Sequence, residues 1–213
     1  VSLLREELTH ALYKTKEYLI AVMFEYGHTT TVPSLGTMAA VNTLGGDAVT
    51  IFNATHPWKT ANGNQYAWEN YSTASLALSE TGIETINTVI RRWKDNSGAP
   101  QNNMIKDIMY PPDLKGDFIR LTESRLTPTS PNNAVNIGAK YIPGSGIENQ
   151  WLSDTADYYV RTDARDGSME MIFGWDDSIT PKWINPRTGN TCFRADFSVG
   201  VGANQCREWY KAA

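Results

Sequence analysis

Cysteine is nearly missing from this chain. Cys192 and Cys206 are the only two in 213 residues, which excludes the disulfide-dense class of small secreted domains, and both thiols are expected to be free. Histidine is almost as scarce, with His10, His28 and His56 far apart. None has a neighbour at metal-ligand spacing, and a zinc centre needs three or four converging ligands, so the three are read as solvent-facing or loop-bracing groups. No metal and no cofactor are expected. Charge of one sign is also lacking. A formal net charge of -4 supplies no basic surplus to drive binding to nucleic acid or to a membrane. The longest apolar run, residues 18–24, is bounded by Glu17 and Glu25 and falls far short of the ~20 residues that span a bilayer. No secretory leader is visible. The catalytic signatures are missing too: there is no Gly-x-Ser-x-Gly elbow, phosphate-binding lysine loop or zincin motif.

What is present is an ordinary globular composition, 41% hydrophobic and 20% charged, over a length that suits one large domain or two small ones. The chain opens directly in an amphipathic helix. Ser2 is a cap-type residue and Glu6 and Glu7 lie in the first turns, where the helix dipole favours negative charge. Leu4, Leu8, Ala11, Leu12, Thr15, Tyr18, Leu19, Val22 and Tyr26 recur at three- and four-residue steps, and Gly27 is a stop. A helix over 3–26 would be about 36 Å long at ~1.5 Å per residue. A rod of that length needs something laid along it, and Val1 reads as a cut edge rather than a natural start.

Residues 28–46 are rich in Thr, Pro and Gly and read as a long excursion. Residues 49–52 are β-branched and aromatic, the composition of a strand, and 56–71 read as an ordered loop carrying several aromatics. A second helix is expected to start from a capping box at Thr81-Gly82-Ile83-Glu84, with Ile83, Ile86, Val89, Ile90 and Trp93 as its apolar stripe. A buried strand over 105–109 and a third helix from about Leu114, with Phe118 and Leu121 on one face, come next. Residues 128–133 oppose both helix and sheet and form a tip. From Ala139 onward the pattern is β, with strands expected over 140–142, 148–152, 157–162, 169–175 and 192–201. In the last of these Phe193, Ala195, Phe197, Val199 and Val201 alternate with a mostly polar face. Helices first and strands last make the expected class α+β.

The remaining candidate sites are weak. Asp163-Ala164-Arg165-Asp166-Gly167 lacks the alternating ligands and distal Glu of a calcium loop and reads as a turn between strands. Asp176-Asp177 and Glu6-Glu7 are adjacent carboxylates, which by themselves establish no catalytic pair. Gly144-Ser145-Gly146 and Gly200-Val201-Gly202 lack the third glycine of a phosphate cradle. Asn53-Ala54-Thr55 and Asn70-Tyr71-Ser72 match a glycosylation tripeptide short enough to arise by chance. The chain has 7 tryptophans. Trp93 and Trp175 lie on expected core elements, whereas Trp58, Trp68, Trp151, Trp183 and Trp209 lie in loops or near ends, where packing or subunit contact is preferred over a sugar-stacking platform.

Several of these motifs, taken in order, carry a resemblance. They are Leu12-Tyr13-Lys14-Thr15-Lys16-Glu17 in the opening helix, Gly45-Gly46-Asp47-Ala48-Val49, and Ala54-Thr55-His56-Pro57. Leu78-Ser79-Glu80 follows, with the helix that ends in Lys94-Asp95-Asn96-Ser97-Gly98-Ala99-Pro100 and then Met109-Tyr110-Pro111-Pro112-Asp113-Leu114. The last are Tyr159-Val160-Arg161-Thr162-Asp163, Ile172-Phe173-Gly174, and Phe193-Arg194-Ala195-Asp196-Phe197-Ser198-Val199-Gly200. Over nearly its whole length the chain resembles the major capsid protein, or major head subunit, of tailed bacteriophages, on the Mu-like head-subunit branch. It departs from that pattern at Gln205-Cys206-Arg207-Glu208-Trp209-Tyr210 and in the Thr/Pro segment 28–44.

The resemblance implies a shell-forming structural protein and not an enzyme. It implies a spine helix over 3–26 in a peripheral domain made of 1–79 and 166–213, and an axial domain over 80–165. The loop 127–136 would be the axial tip, with Pro128, Pro131, Asn132 and Asn133 as inter-subunit contacts. The family's N-terminal arm and extended hairpin have no counterpart in these residues. Partners implied are further copies of the chain in hexamers and pentamers, portal, scaffold and decoration proteins, and packaged double-stranded DNA approached without sequence preference, with no membrane. The location implied is the virion, after assembly in the host cytoplasm. A rival from another class is a secreted carbohydrate-active enzyme or carbohydrate-binding module built on the loop tryptophans and Asp176-Asp177.

Overall fold

In the computed structural model, which describes residues 2–32, 41–59, 65–95, 97–124, 135–142, 145–164, 169–203 and 206–213, the chain is a mixed helix and strand protein. Helix α1 runs Ser2–Tyr26, with no Gly or Pro to interrupt it. It gives way at Gly27, a position that only glycine fits: a Cβ there would lie 2.6 Å from the Met23 carbonyl oxygen and 2.9 Å from Phe52 Cδ2. That close approach lets the Phe52 N–H donate to the Gly27 carbonyl at 2.9 Å. Burial along α1 is uneven. Glu6, Glu7, His10, Ala11, Tyr13 and Lys14 are exposed, while Ala21, Val22, Met23 and Phe24 are buried in succession. The single stripe expected from periodicity therefore holds at Leu12, Leu19 and Val22 and fails at Ala11 and Tyr18, which are exposed, while near the C-terminus four successive residues are buried whatever their phase.

Among what buries them is a sheet of order β3-β9-β6-β4-β5, from Tyr71–Ser72, Trp209–Ala212, Tyr158–Thr162, Ile105–Tyr110 and Gly146–Glu148 respectively. The two inner pairings, β9 with β6 and β6 with β4, are antiparallel, whereas β3 and β5 join the edges parallel to their neighbours. Phe24 meets Tyr159 and Trp209 edge-on, at 5.2 and 4.8 Å between centroids. Helix α2, Glu80–Arg91, adds Ile83, Ile86 and Ile90 to the same core. The sheet takes strands both from the segments 1–79 and 166–213 and from 80–165.

Two further elements lie outside the sheet. Strands β1, His56–Lys59, and β2, Gln65–Trp68, form a hairpin with His56 opposite Trp68. Strands β7, Met169–Ile184, and β8, Thr191–Ala203, form a two-stranded ribbon that lies against α1. At ~3.3 Å per residue this ribbon is about 40 Å long, comparable to the helix it accompanies. Its turn closes with Gly189 at φ 69° and with the Asn185 N–H donating to the Asn190 carbonyl.

Several expectations are corrected. Residues 49–52 form no strand: after the turn at Ala48, φ 62°, Ile51 bonds to Thr43 and Phe52 to Gly27, so the segment never faces one partner. The loop expected over 56–71 contains the β1–β2 hairpin. Helix α2 is capped by Ser79, whose Oγ accepts from the Gly82 N–H at 3.2 Å, two residues before the expected box. Residues 140–142 are not a strand but overlap the helical turn α4, Gly138–Tyr141, held where Gly138 meets Leu121. Of the strand expected over 148–152 only Glu148 is strand, as the last residue of β5; past it the chain turns, and Asn149 Oδ1 accepts from the Trp151 N–H. Strands β7 and β8 are longer than expected, and β9 is a further strand. Helix α3, Lys115–Glu123, buries Phe118 and Leu121 as anticipated, and Cys192 and Cys206 are free.

Candidate functional site

Two polar junctions are built into this core, each centred on a histidine. The first joins the Gly45-Gly46-Asp47 turn to the β1–β2 hairpin. Only a residue without Cβ fits at Gly45, where that atom would lie 2.8 Å from Cys206 Sγ. Asp47 Oδ1 accepts from the Val49 N–H at 3.2 Å, and its Oδ2 lies 2.7 Å from His56 Nδ1. On the other side of the ring, Nε2 is 2.9 Å from Asn70 Oδ1.

The orientation of Asn70 is fixed by main-chain partners. Its Nδ2 donates to the carbonyls of Ile51 and Cys206, at 2.8 and 2.9 Å, and its Oδ1 also accepts from the Asn53 N–H at 2.9 Å. An amide oxygen therefore faces Nε2, which donates to it, and the Asp47 carboxyl group engages Nδ1, so both ring nitrogens have a partner. Trp68 stacks on it at 4.3 Å and 15°, and the Arg207 guanidinium lies 5.2 Å from the same indole, a cation–π contact.

The second junction ties the C-terminus of α1 to the sheet. Lys211, on β9 between β3 and β6, is 1% exposed. Its ammonium reaches Asp157 Oδ2 at 2.8 Å, the Glu25 carbonyl at 3.0 Å and His28 Nδ1 at 3.0 Å. Three donors thus meet three acceptors, the condition under which a buried ammonium is tolerable. The bond to Glu25 also places a cation at the negative end of the helix dipole. His28 must be neutral here, with Nδ1 as the acceptor. Burial first, and then the Lys211 charge, hold its pKa below the ordinary 6.5.

Neither junction has the form of a catalytic centre. The His56 ring is fully buried with both nitrogens engaged, so it has no lone pair with which to take a proton from a substrate. Burial, then the Asp47 charge, pushes the Cys206 thiol up to about 12, which leaves almost no thiolate at neutral pH. Among the described residues no group of three or more His, Cys, Asp and Glu could hold a metal ion, and no helix is long and apolar enough to cross a membrane.

The surface is apolar in places. Tyr13, Tyr18, Ile119, Val135, Ile137, Ile147, Trp183 and Ile184 are exposed. An open cleft of about 360 Å³ runs between α1 and the end of β5, lined by Glu17, Ile20, Ile147, Glu148, Asn149, Gln150 and Trp151. The Trp151 indole N–H donates to Glu17 at 3.0 Å, and its ring meets Tyr18 edge-on at 6.1 Å.

Of the residues singled out in the sequence, Pro128, Pro131, Asn132 and Asn133 lie outside the described residues, as do Arg165, Asp166, Gly167 and Gly144. His10 is exposed on α1. Asp163 accepts from the Met104 N–H at 2.6 Å, and Asp176 and Asp177 lie on β7. Trp68, Trp93 and Trp209 are buried, whereas Trp183 is exposed at the ribbon's end. Asn70 is fully buried with its amide engaged twice, so it offers no glycosylation site in the folded protein. The pairing of Asp47 with His56 joins two of the motifs behind the resemblance, although spacing alone did not indicate it. The Lys211 junction was missed. Its one signal is a lysine between Tyr210 and Ala212 in a short aromatic run.

Compared with family models, curated proteins and solved structures, the chain finds no match.

Proposed function

We propose that this chain is a shell-forming structural protein, the major capsid subunit of a tailed bacteriophage, which assembles into pentamers and hexamers around packaged double-stranded DNA. The observation that carries the reading is the pairing of two long elements. Helix α1, 25 residues, lies against the β7–β8 ribbon, with strands of 16 and 13 residues, and exposed Tyr13, Tyr18, Trp183 and Ile184 are spread over them. An extended scaffold with dispersed apolar contacts suits heterologous association around an axis, where rings of five and six tile a closed surface. Many modest contacts per subunit then give a durable shell.

On this reading α1 is the spine helix, 1–79 and 166–213 form the peripheral domain, 80–165 form the axial domain, and portal, scaffold and decoration proteins are further partners. The net charge of -4 suits a wall that encloses DNA and later releases it. The virion, after assembly in the host cytoplasm, is the corresponding location. Negative-stain microscopy of the full-length protein across salt and concentration tests the proposal: rings, tubes or closed shells are expected. Monodisperse monomers under every condition, or a specific hit on a glycan array, would overturn it in favour of a carbohydrate-directed module.

A further inference from the structure

We infer that the Lys211–His28 contact is an acid-sensitive latch between the long helix and the central sheet: protonating His28 opens it. The inference does not depend on what the chain assembles into. It rests on the count of donors and acceptors at one buried ammonium. Lys211 Nζ has three protons and three acceptors, Asp157 Oδ2, the Glu25 carbonyl and His28 Nδ1. The Nδ1 lone pair is one of the three. A proton on that nitrogen removes the acceptor and sets an N–H against an ammonium 3.0 Å away, two like charges in a partly desolvated site. Lys211 cannot turn to water without leaving the sheet, since it sits on β9 between β3 and β6. His28 and the end of α1 are therefore what must move.

The groups around His28 come from every neighbouring element. From α1 there is Glu25, whose carboxylate accepts from Ser153 Oγ; from β3 there is Tyr71, stacked on the imidazole at 5.5 Å. Asp154 and Asp157 approach from the loop before β6 and Lys211 from β9, with the Tyr159 ring of β6 5.7 Å from the Lys211 ammonium. The Glu25 main chain, then Asp157 and Asp154, favour a charged imidazole, whereas burial and Lys211 oppose it and prevail, so the folded-state pKa lies below the ordinary 6.5. A histidine depressed in the folded state binds fewer protons there than in the opened state. The closed latch is thus fully favoured above the ordinary histidine pKa and is lost as the pH falls through the lower, folded value.

The test is site-resolved NMR on the full chain between pH 8 and pH 5, following the His28 ring signals and the amide protection factors of residues 24–29 and 209–212. As His28 titrates, below the ordinary 6.5, protection at these amides should fall roughly tenfold or more, the equivalent of one hydrogen bond to a charged group. Protection within α2 should stay unchanged. His28→Gln keeps an acceptor without titrating and should flatten the response. The inference fails if His28 titrates while local protection holds, or if His28→Gln loses protection on the same curve as wild type. Should His28→Gln not fold, coincidence of the wild-type ring titration with the loss of local protection decides the matter alone.

Discussion

His28 and His56 are the same residue set against opposite partners, and what sets each ring's role is the fixed hydrogen-bonding character of its neighbours. Asp47 and Asn70 offer His56 only oxygens, whereas the Lys211 ammonium offers His28 only protons. Asn70 decides the first case, because three main-chain groups prevent its amide from flipping. Asn70→Ala should therefore be among the most damaging single changes in the chain. It leaves two buried carbonyls, the Asn53 N–H and His56 Nε2 without their partner, each worth about 1–3 kcal/mol when buried. Even with partial relaxation a loss of about 3 kcal/mol or more is expected in urea denaturation. Asn53→Ala, at a partly buried position, should cost about 1 kcal/mol. If the two variants unfold at the same midpoint, Asn70 does not organise the junction.

At the scale of elements, glycine shows how local sequence and tertiary contact divide the work. Gly27 and Gly116 look alike in sequence, one ending a helix and one inside the first turn of α3. A Cβ at Gly27 would meet the Met23 carbonyl oxygen at 2.6 Å, whereas at Gly116 its nearest neighbour is Arg120 Nη2 at 3.7 Å, on an exposed surface. Gly27→Ala should thus destabilise by about 1–3 kcal/mol, as overpacking does. Gly116→Ala should stabilise by about 0.5–1 kcal/mol through helix propensity. Thermal or urea midpoints of the two variants, moving in opposite directions, are the check. The same division explains which elements were legible in the sequence. Helices α1, α2 and α3 and strands β4 and β6 follow their own periodicity and were foreseen. Residues 49–52, 140–142 and β9 were not: in the first, backbone partners come from two separate segments. The second is fixed by the fit of Gly138 on Leu121. In β9 a lysine that reads as surface is made a core residue by Asp157, far away in sequence.

At the scale of the whole molecule, the surface divides into a part that its own core has claimed and a part it has left open. Trp183 and Ile184 close the β7 side of the ribbon just before its turn, and Ile184 is 64% exposed. Burying them against a neighbouring subunit would recover apolar area that the monomer leaves in water, at roughly 25 cal/mol per Å². An exposed side chain contributes little to the fold that carries it, so Ile184→Asp should leave the monomer's unfolding midpoint within about 0.5 kcal/mol of wild type. On the shell reading it should nevertheless weaken assembly, because a carboxylate buried at a contact is costly and the cost recurs at every copy. The expected result is a shift of the particle yield toward free subunits in sedimentation, with circular dichroism and thermal midpoint unchanged. A variant that assembles as well as wild type would remove the ribbon's end from the subunit contacts. One that unfolds would show that Ile184 belongs to the monomer's own packing.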